Sequence, residues 1–149
     1  MGSGTTISLC HRAGDDLSHS LRPALVEVHE FAGRIALDAA MTRRLAIVAE
    51  ELLVNLLEHS GESAQGGELS ASLRLEDTDR GLTLSLEDDG APFDPRAVGP
   101  ADMPNPERGG GVGLALVKAF AQIEGYASDG GRNRLWLRMN PRRDPAERI

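Results

Sequence analysis

The sequence predicts an α+β fold, a two-layer sandwich with helices on one face of a mixed, mostly antiparallel sheet, and three observations carry that prediction. Apolar residues recur at helical spacing through residues 17–33 and 38–59. Two later segments, 69–75 and 82–86, alternate between apolar and polar side chains, as half-buried strands do. The length of 149 residues suits one sizeable core, so a single domain over 1–140 is expected, with 141–149 a solvated tail.

Residues Thr5 to His11 read as a short strand, followed by Ala13-Gly14-Asp15-Asp16, a turn that can also cap a helix. The first helix carries Leu17, Leu21, Leu25, Val28 and Ala32 on one face, and Gly33 marks its expected end. A second helix runs from a cap at Asp38 to about His59, with Leu45, Val48, Leu52 and Leu56 as its apolar stripe. Residues 60–67 are a Gly- and Ser-rich loop, and the two alternating segments then form an antiparallel hairpin around residues 77–81. Residues 91–109 hold five of the eight prolines and no periodicity, which makes them a loop. A third helix is expected from Val112 to about Ile123 and a closing strand from Asn133 to Met139.

Composition narrows the function classes. The net charge of −7, with one Trp, one Tyr and three Phe, argues against nucleic-acid binding, which rests on clustered Lys and Arg and on aromatic platforms. Cys10 is the lone cysteine, so no intrachain disulfide forms; a buried or half-buried free thiol in a reducing, cytoplasmic setting is expected. No signal-peptide pattern and no apolar run approaching the roughly 20 residues of a membrane span is present, so no membrane association is expected.

Three polar features interrupt this ordinary pattern. The first lies in the second helix. At about 100° per residue, Glu51 falls about 40° from Asn55 around the axis and Glu50 about 140° from it, so Glu51, Asn55, Glu58 and His59 share a stripe that Glu50 leaves. A carboxylate one turn from an amide carbonyl suits a hard cation and a reacting hydroxyl. An exposed polar helix face accounts for the same residues, and His59 is explained by the helix C-terminal dipole alone.

The second feature is Asp88, which continues the buried face of Leu82, Leu84 and Leu86, whereas Asp89 falls on the other. A buried carboxylate needs a dedicated partner, and Gly90 beside it permits close approach of a ligand or an unusual backbone angle. That suits an acceptor at the bottom of a pocket, reading a donor such as the adenine amine; a loop start made of Asp-Asp-Gly is the plain alternative. The third feature is the glycine run at 109–113 before an apolar helix, where unpaired N–H groups can meet phosphate oxygens. It is neither a Walker A loop nor a dinucleotide fingerprint, and a hinge is its plain alternative.

Together these features resemble the GHKL group of histidine-kinase-like ATPases over about residues 5–140. Glu51-Leu-Leu-Val-Asn55-Leu-Leu-Glu-His59 is similar to their N box, Asp88-Asp-Gly-Ala-Pro-Phe-Asp94-Pro to their G1 box, and Gly109-Gly-Gly-Val-Gly-Leu-Ala-Leu-Val117 to their G2 box. The form of the second box, the short lid and the lack of an attached domain resemble the anti-sigma-factor serine kinase branch. The resemblance implies ATP and Mg²⁺ as cofactors, Asn55 binding Mg²⁺, Glu51 acting as general base on a serine hydroxyl, Asp88 binding adenine and Gly90 lining its pocket. It implies nucleotide contacts along Gly109, Gly110, Gly111, Val112, Gly113 and Leu114, with Gly111 and Gly113 at the phosphates, and a lid from Asp94 to Arg108 with Arg108 as its cation. Implied partners are a small anti-sigma-factor antagonist of STAS type, a sigma factor, and a second copy of the chain. The sequence departs from the group in Val112, where more polar residues are common, and in a proline-rich lid whose only basic residues are Arg96 and Arg108.

Three other functions compete. A histidine kinase catalytic domain would need a phospho-acceptor helix pair; His29-Glu30 offers the dipeptide, but its helix belongs to this domain's own layer. A nucleotide-responsive binding module would use the same pocket without phosphotransfer. An ATP-hydrolysing clamp of the chaperone or gyrase type would need a transducer domain after this one.

Overall fold

Alternation and helical periodicity resolve into eight main elements in the computed structural model, which describes residues 3–60, 67–97 and 111–140, with only the backbone of His59, Ser60, Ala97, Gly111 and Val112. They are β1 (Ser3–Arg12), α1 (Leu17–Arg34), α2 (Ala39–Ser60), β2 (Glu68–Thr78), β3 (Gly81–Asp88), α3 (Gly111–Phe120), β4 (Gln122–Asp129) and β5 (Arg132–Met139). The strands form one sheet in the order β1-β2-β3-β5-β4. All four pairings are antiparallel, so the described sheet has no parallel component where a mixed one was expected.

The helices cover one sheet face, and period two decides which side chains meet them. Ile7 and Leu9, Leu69, Leu73 and Leu75, Leu82, Leu84 and Leu86, and Leu135, Leu137 and Met139 point inward and are buried. They meet Val28 and Phe31 of α1, Leu45, Val48, Leu52 and Leu53 of α2, and Val117 of α3 in one core. His11 ends the inward row of β1, its Nδ1 2.8 Å from Ser20 Oγ on α1. The other sheet face is polar: Arg132 and Arg134 both reach Glu87, at 3.0 and 3.6 Å, and Arg138 reaches Glu124 at 3.2 Å. Cys10 lies on this outer side and is exposed, contrary to the buried or half-buried thiol expected. Among the described residues no helix is long and apolar enough to cross a membrane.

Both ends of α1 are set by local chemistry. Asp16 is the N-cap, its Oδ1 accepting from Ser18 N at 3.0 Å; that backbone hydrogen bond holds its carboxyl below the usual aspartate range. The C-terminal end differs from expectation. The helix passes Gly33 and closes in a Schellman turn, with Leu37 N donating to Ala32 O at 3.0 Å and Ala36 N to Gly33 O at 3.2 Å. The left-handed position belongs to Ala36, at φ 54°, not to the glycine. Asp38 then caps α2 as expected, accepting from Met41 N at 2.8 Å.

The largest difference from the sequence reading is β4. The third helix stops at Phe120 rather than near Ile123, and residues 122–129 form an edge strand paired with β5. A register shift between Ile123 and Gly125 interrupts the alternation of β4, so Ile123 and Tyr126 are both half-buried at a spacing that mimics a helix. Gly130 and Gly131, at φ 60° and 78°, make the two-residue turn into β5, a pair whose two positive φ angles match a hairpin turn of type I′. The shift also puts Gly125 opposite Trp136, where a Cβ would stand 3.2 Å from the indole.

Ala36 is exposed, so replacing it tests only the backbone. Ala36→Gly is expected to raise stability by about 0.5–1 kcal/mol, because relief of left-handed strain outweighs the added chain entropy. A denaturant midpoint that rises at unchanged m-value checks this; an unchanged or lower midpoint contradicts it.

Candidate functional site

The site grows from the point where the inward rows of β3 and β5 change from leucine to polar residues. Asp88 follows Leu86 on β3 and Asn133 precedes Leu135 on β5, and the two are direct cross-strand partners. Both are buried, at 7% and 2% exposure. Asn133 Nδ2 donates to Asp88 Oδ1 at 2.9 Å, and Gly90 N donates to the same oxygen at 2.9 Å. Both hydrogen bonds to Asp88 among the described residues go to Oδ1, which leaves Oδ2 to accept from a ligand. Burial, the strongest influence, raises the Asp88 pKa above the ordinary aspartate value; the donors from Asn133 and Gly90 pull it down, and Asp89 and Glu87 push it up.

Asn133 is held from its other end. Its Oδ1 accepts from Ser128 Oγ at 2.6 Å and lies 3.5 Å from Tyr126 Oη. Tyr126 Oη in turn accepts from Phe93 N at 3.0 Å, and Asn133 Nδ2 also donates to Gly90 O at 2.9 Å. One buried amide thus ties the β4–β5 hairpin to the loop after β3. Sequence reasoning missed Asn133, although the alternation that placed Asp88 inward places Asn133 inward as well. Gly90 keeps a φ outside the left-handed range, so of the two uses expected of it only close approach remains.

Asp88, Asn55 and Asn133 line one cleft with Leu52, Leu56, Leu86 and Phe93; its volume, including space open to solvent, is about 420 Å³. Apolar walls with a carboxylate and two amides suit a heteroaromatic base that offers a donor to Asp88. Glu51 and Asn55 are half-buried on α2. Glu51 lies against Gly113 at the start of α3, where a Cβ would stand 2.8 Å from its Cδ. Burial first, then the charges of Glu50 and Glu58, raise the Glu51 pKa above the ordinary glutamate value. Glu50 is exposed and borders a groove with Arg22, Leu25, Val26 and His29 of α1, as the helical geometry required.

Gly111, Val112, Gly113 and Leu114 form the first turn of α3, with Gly113 and Leu114 buried. Of the expected lid only Asp94 to Ala97 is described, and it makes a 3-10 turn at Pro95–Ala97. There Arg96 pairs with Asp94 at 2.8 Å, and the hydrogen bonds from Arg96 hold the Asp94 carboxyl below its usual range. Arg108, Gly109, Gly110 and the tail from 141 lie outside the described residues, as does the side chain of His59.

An antiparallel sheet layered with helices, whose apolar cleft ends on a buried Asp, defines an α+β sandwich with a candidate ligand site. The family model of the histidine kinase-like ATPase domain matches residues 15–139, and the chain belongs to that family. No curated protein matches the chain.

The raised pKa of Asp88 has a sign that can be checked. The folded carboxyl holds its proton more tightly than the unfolded one, so its ionised form costs stability at neutral pH, and that cost vanishes below both pKa values. Asp88→Asn keeps an acceptor oxygen for Asn133 and Gly90. It is expected to match or exceed the native Tm at pH 7, with the gain fading as pH falls through about 3.9, the unfolded aspartate value. Thermal unfolding across pH measures it; a Tm below native at pH 7 would mean that the two hydrogen bonds to the charged form outweigh burial.

Proposed function

We propose that the chain is an ATP-dependent protein serine kinase of the anti-sigma-factor type, working in the cytoplasm. Its substrate on this reading is a serine of a small STAS-type antagonist, and by switching between that antagonist and a sigma factor it controls the latter. The observation that carries the proposal is the pairing of Glu51 with Asn55: a half-buried carboxylate of raised pKa, one helical turn from an amide that lines the Asp88 cleft. A base whose proton affinity lies above that of an ordinary glutamate is better matched to a hydroxyl proton.

On this reading Asp88 accepts from the adenine amine, and the backbone N–H groups of Gly111 to Gly113 face the phosphates at the N-terminus of α3. The Asn55 carbonyl takes one coordination position of Mg²⁺. Among the described residues no cluster of three or more His, Cys, Asp or Glu could cage a metal, which fits an ion held chiefly by phosphates and water. Glu51 receives the proton of the serine hydroxyl as its oxygen bonds to the terminal phosphorus and the bond to ADP breaks. Positioning and charge neutralisation supply most of the rate in such a transfer. On the same reading Arg108 is the lid's cation, and a homodimer would present two such sites.

The test is incubation with terminally labelled ATP, Mg²⁺ and purified antagonist proteins from the same genome. Glu51→Gln is expected to lower transfer by about 10²–10⁴-fold while leaving ATP affinity nearly intact. Asn55→Ala is expected to abolish the Mg²⁺-dependent part of ATP affinity along with transfer. Nucleotide binding without transfer to any candidate would instead identify a nucleotide-responsive switch.

The adenine assignment stands on a separate measurement. Calorimetric titration of Asp88→Asn with ATP is expected to show a loss of about 10-fold or more, since an amide nitrogen cannot accept from the adenine amine. Unchanged affinity would remove Asp88 from the base pocket.

A further inference from the structure

We propose that Gly113 is a positioning residue for Glu51: the missing side chain at the start of α3 is what seats the Glu51 carboxylate one helical turn from Asn55. The inference rests on the reading of Glu51 as the base, but it assigns Gly113 a task other than phosphate contact.

The geometry is specific. A Cβ built on Gly113 would stand 2.8 Å from Glu51 Cδ and 3.5 Å from its Cγ, and closer still to Oε2. Its three nearest heavy atoms all belong to Glu51. The space that a methyl group would take is therefore occupied by the Glu51 side chain. Backbone conformation gives no separate reason for glycine, because Gly113 is absent from the positive-φ residues, which include Gly14, Gly67, Gly130 and Gly131. Those four have open space where a Cβ would go, so conformation explains them and crowding explains Gly113. Glycine is also a poorer helix former than alanine, so a glycine inside α3 needs a compensating reason. Seating Glu51 supplies it.

A double-mutant cycle between Gly113→Ala and Glu51→Ala tests this in the full chain. In the native background Gly113→Ala is expected to leave the Tm nearly unchanged, because displacing the Glu51 carboxylate, the far end of a flexible side chain, offsets alanine's preference for the helix. In the Glu51→Ala background the same change is expected to raise the Tm, because the obstruction is gone and alanine favours the helix. Should Gly113→Ala fail to fold alone, recovery of a cooperative transition in the double variant carries the same result. An effect of equal sign and size in both backgrounds, or no recovery, would overturn the proposal.

Phosphoryl transfer from Mg²⁺-ATP to the serine of the antagonist proteins, read as ADP formation, gives the functional readout. A displaced base is expected to lower kcat by about 100-fold with the KM for ATP within about threefold. A raised KM at constant kcat would return Gly113 to simple phosphate contact and overturn the assignment. Because the stability cycle needs no turnover, a Tm gain confined to the Glu51→Ala background alongside undiminished turnover in Glu51→Gln would leave the seat standing and remove only the catalytic role of Glu51.

Discussion

A carboxylate at the end of a leucine row, facing a helical layer, is stable only if something donates to it, and the site depends on how Asp88 is supplied. Asn133 meets that need from the neighbouring strand and Gly90 from the loop. An unpaired polar group in such a place would cost about 1–3 kcal/mol, more for a charge. The pairing also has a direction. Both donors among the described residues converge on Oδ1, which orients the carboxylate among the apolar walls of the cleft. Ser128 and Tyr126 then fix the amide that fixes the acid, so the edge hairpin that looks least important in the sheet is the support of its most polar residue.

The legible parts of the sequence were those where one periodicity ran unbroken. Period two placed Asp88 inward and Asp89 outward, and the 100° turn of the helix separated Glu51 from Glu50. Asn133 was equally legible, because the alternation of Leu135, Leu137 and Met139 puts it on the same inward face. β4 was not legible: its register shift leaves half-buried side chains three apart, and only the Gly130-Gly131 pair betrayed the turn. The end of α1 misled for a different reason. Glycine is the usual left-handed residue, but here the turn falls three positions later on an alanine, where the packing of Leu37 and the cap at Asp38 fix the chain path.

The acidity of the chain shapes the site as well. Glu50 and Glu58 flank Glu51 on one helix, and their charges together with burial keep its proton affinity high. The same carboxylates oppose a polyphosphate brought to α3. Backbone dipoles at the N-terminus of α3 are suited to offset part of that repulsion. Arg96, the described basic residue nearest in sequence to the cleft-lining Phe93 and Pro95, is already committed to Asp94.

Trp136 offers a last consequence. The chain's one indole sits on the helix-free side of β5, partly exposed over Gly125, while Asn133 three residues earlier points into the cleft. Its fluorescence therefore reads β5 from the sheet face opposite the cleft. The protein carries a built-in optical gauge of how rigidly β5 couples its polar end to the rest of the sheet.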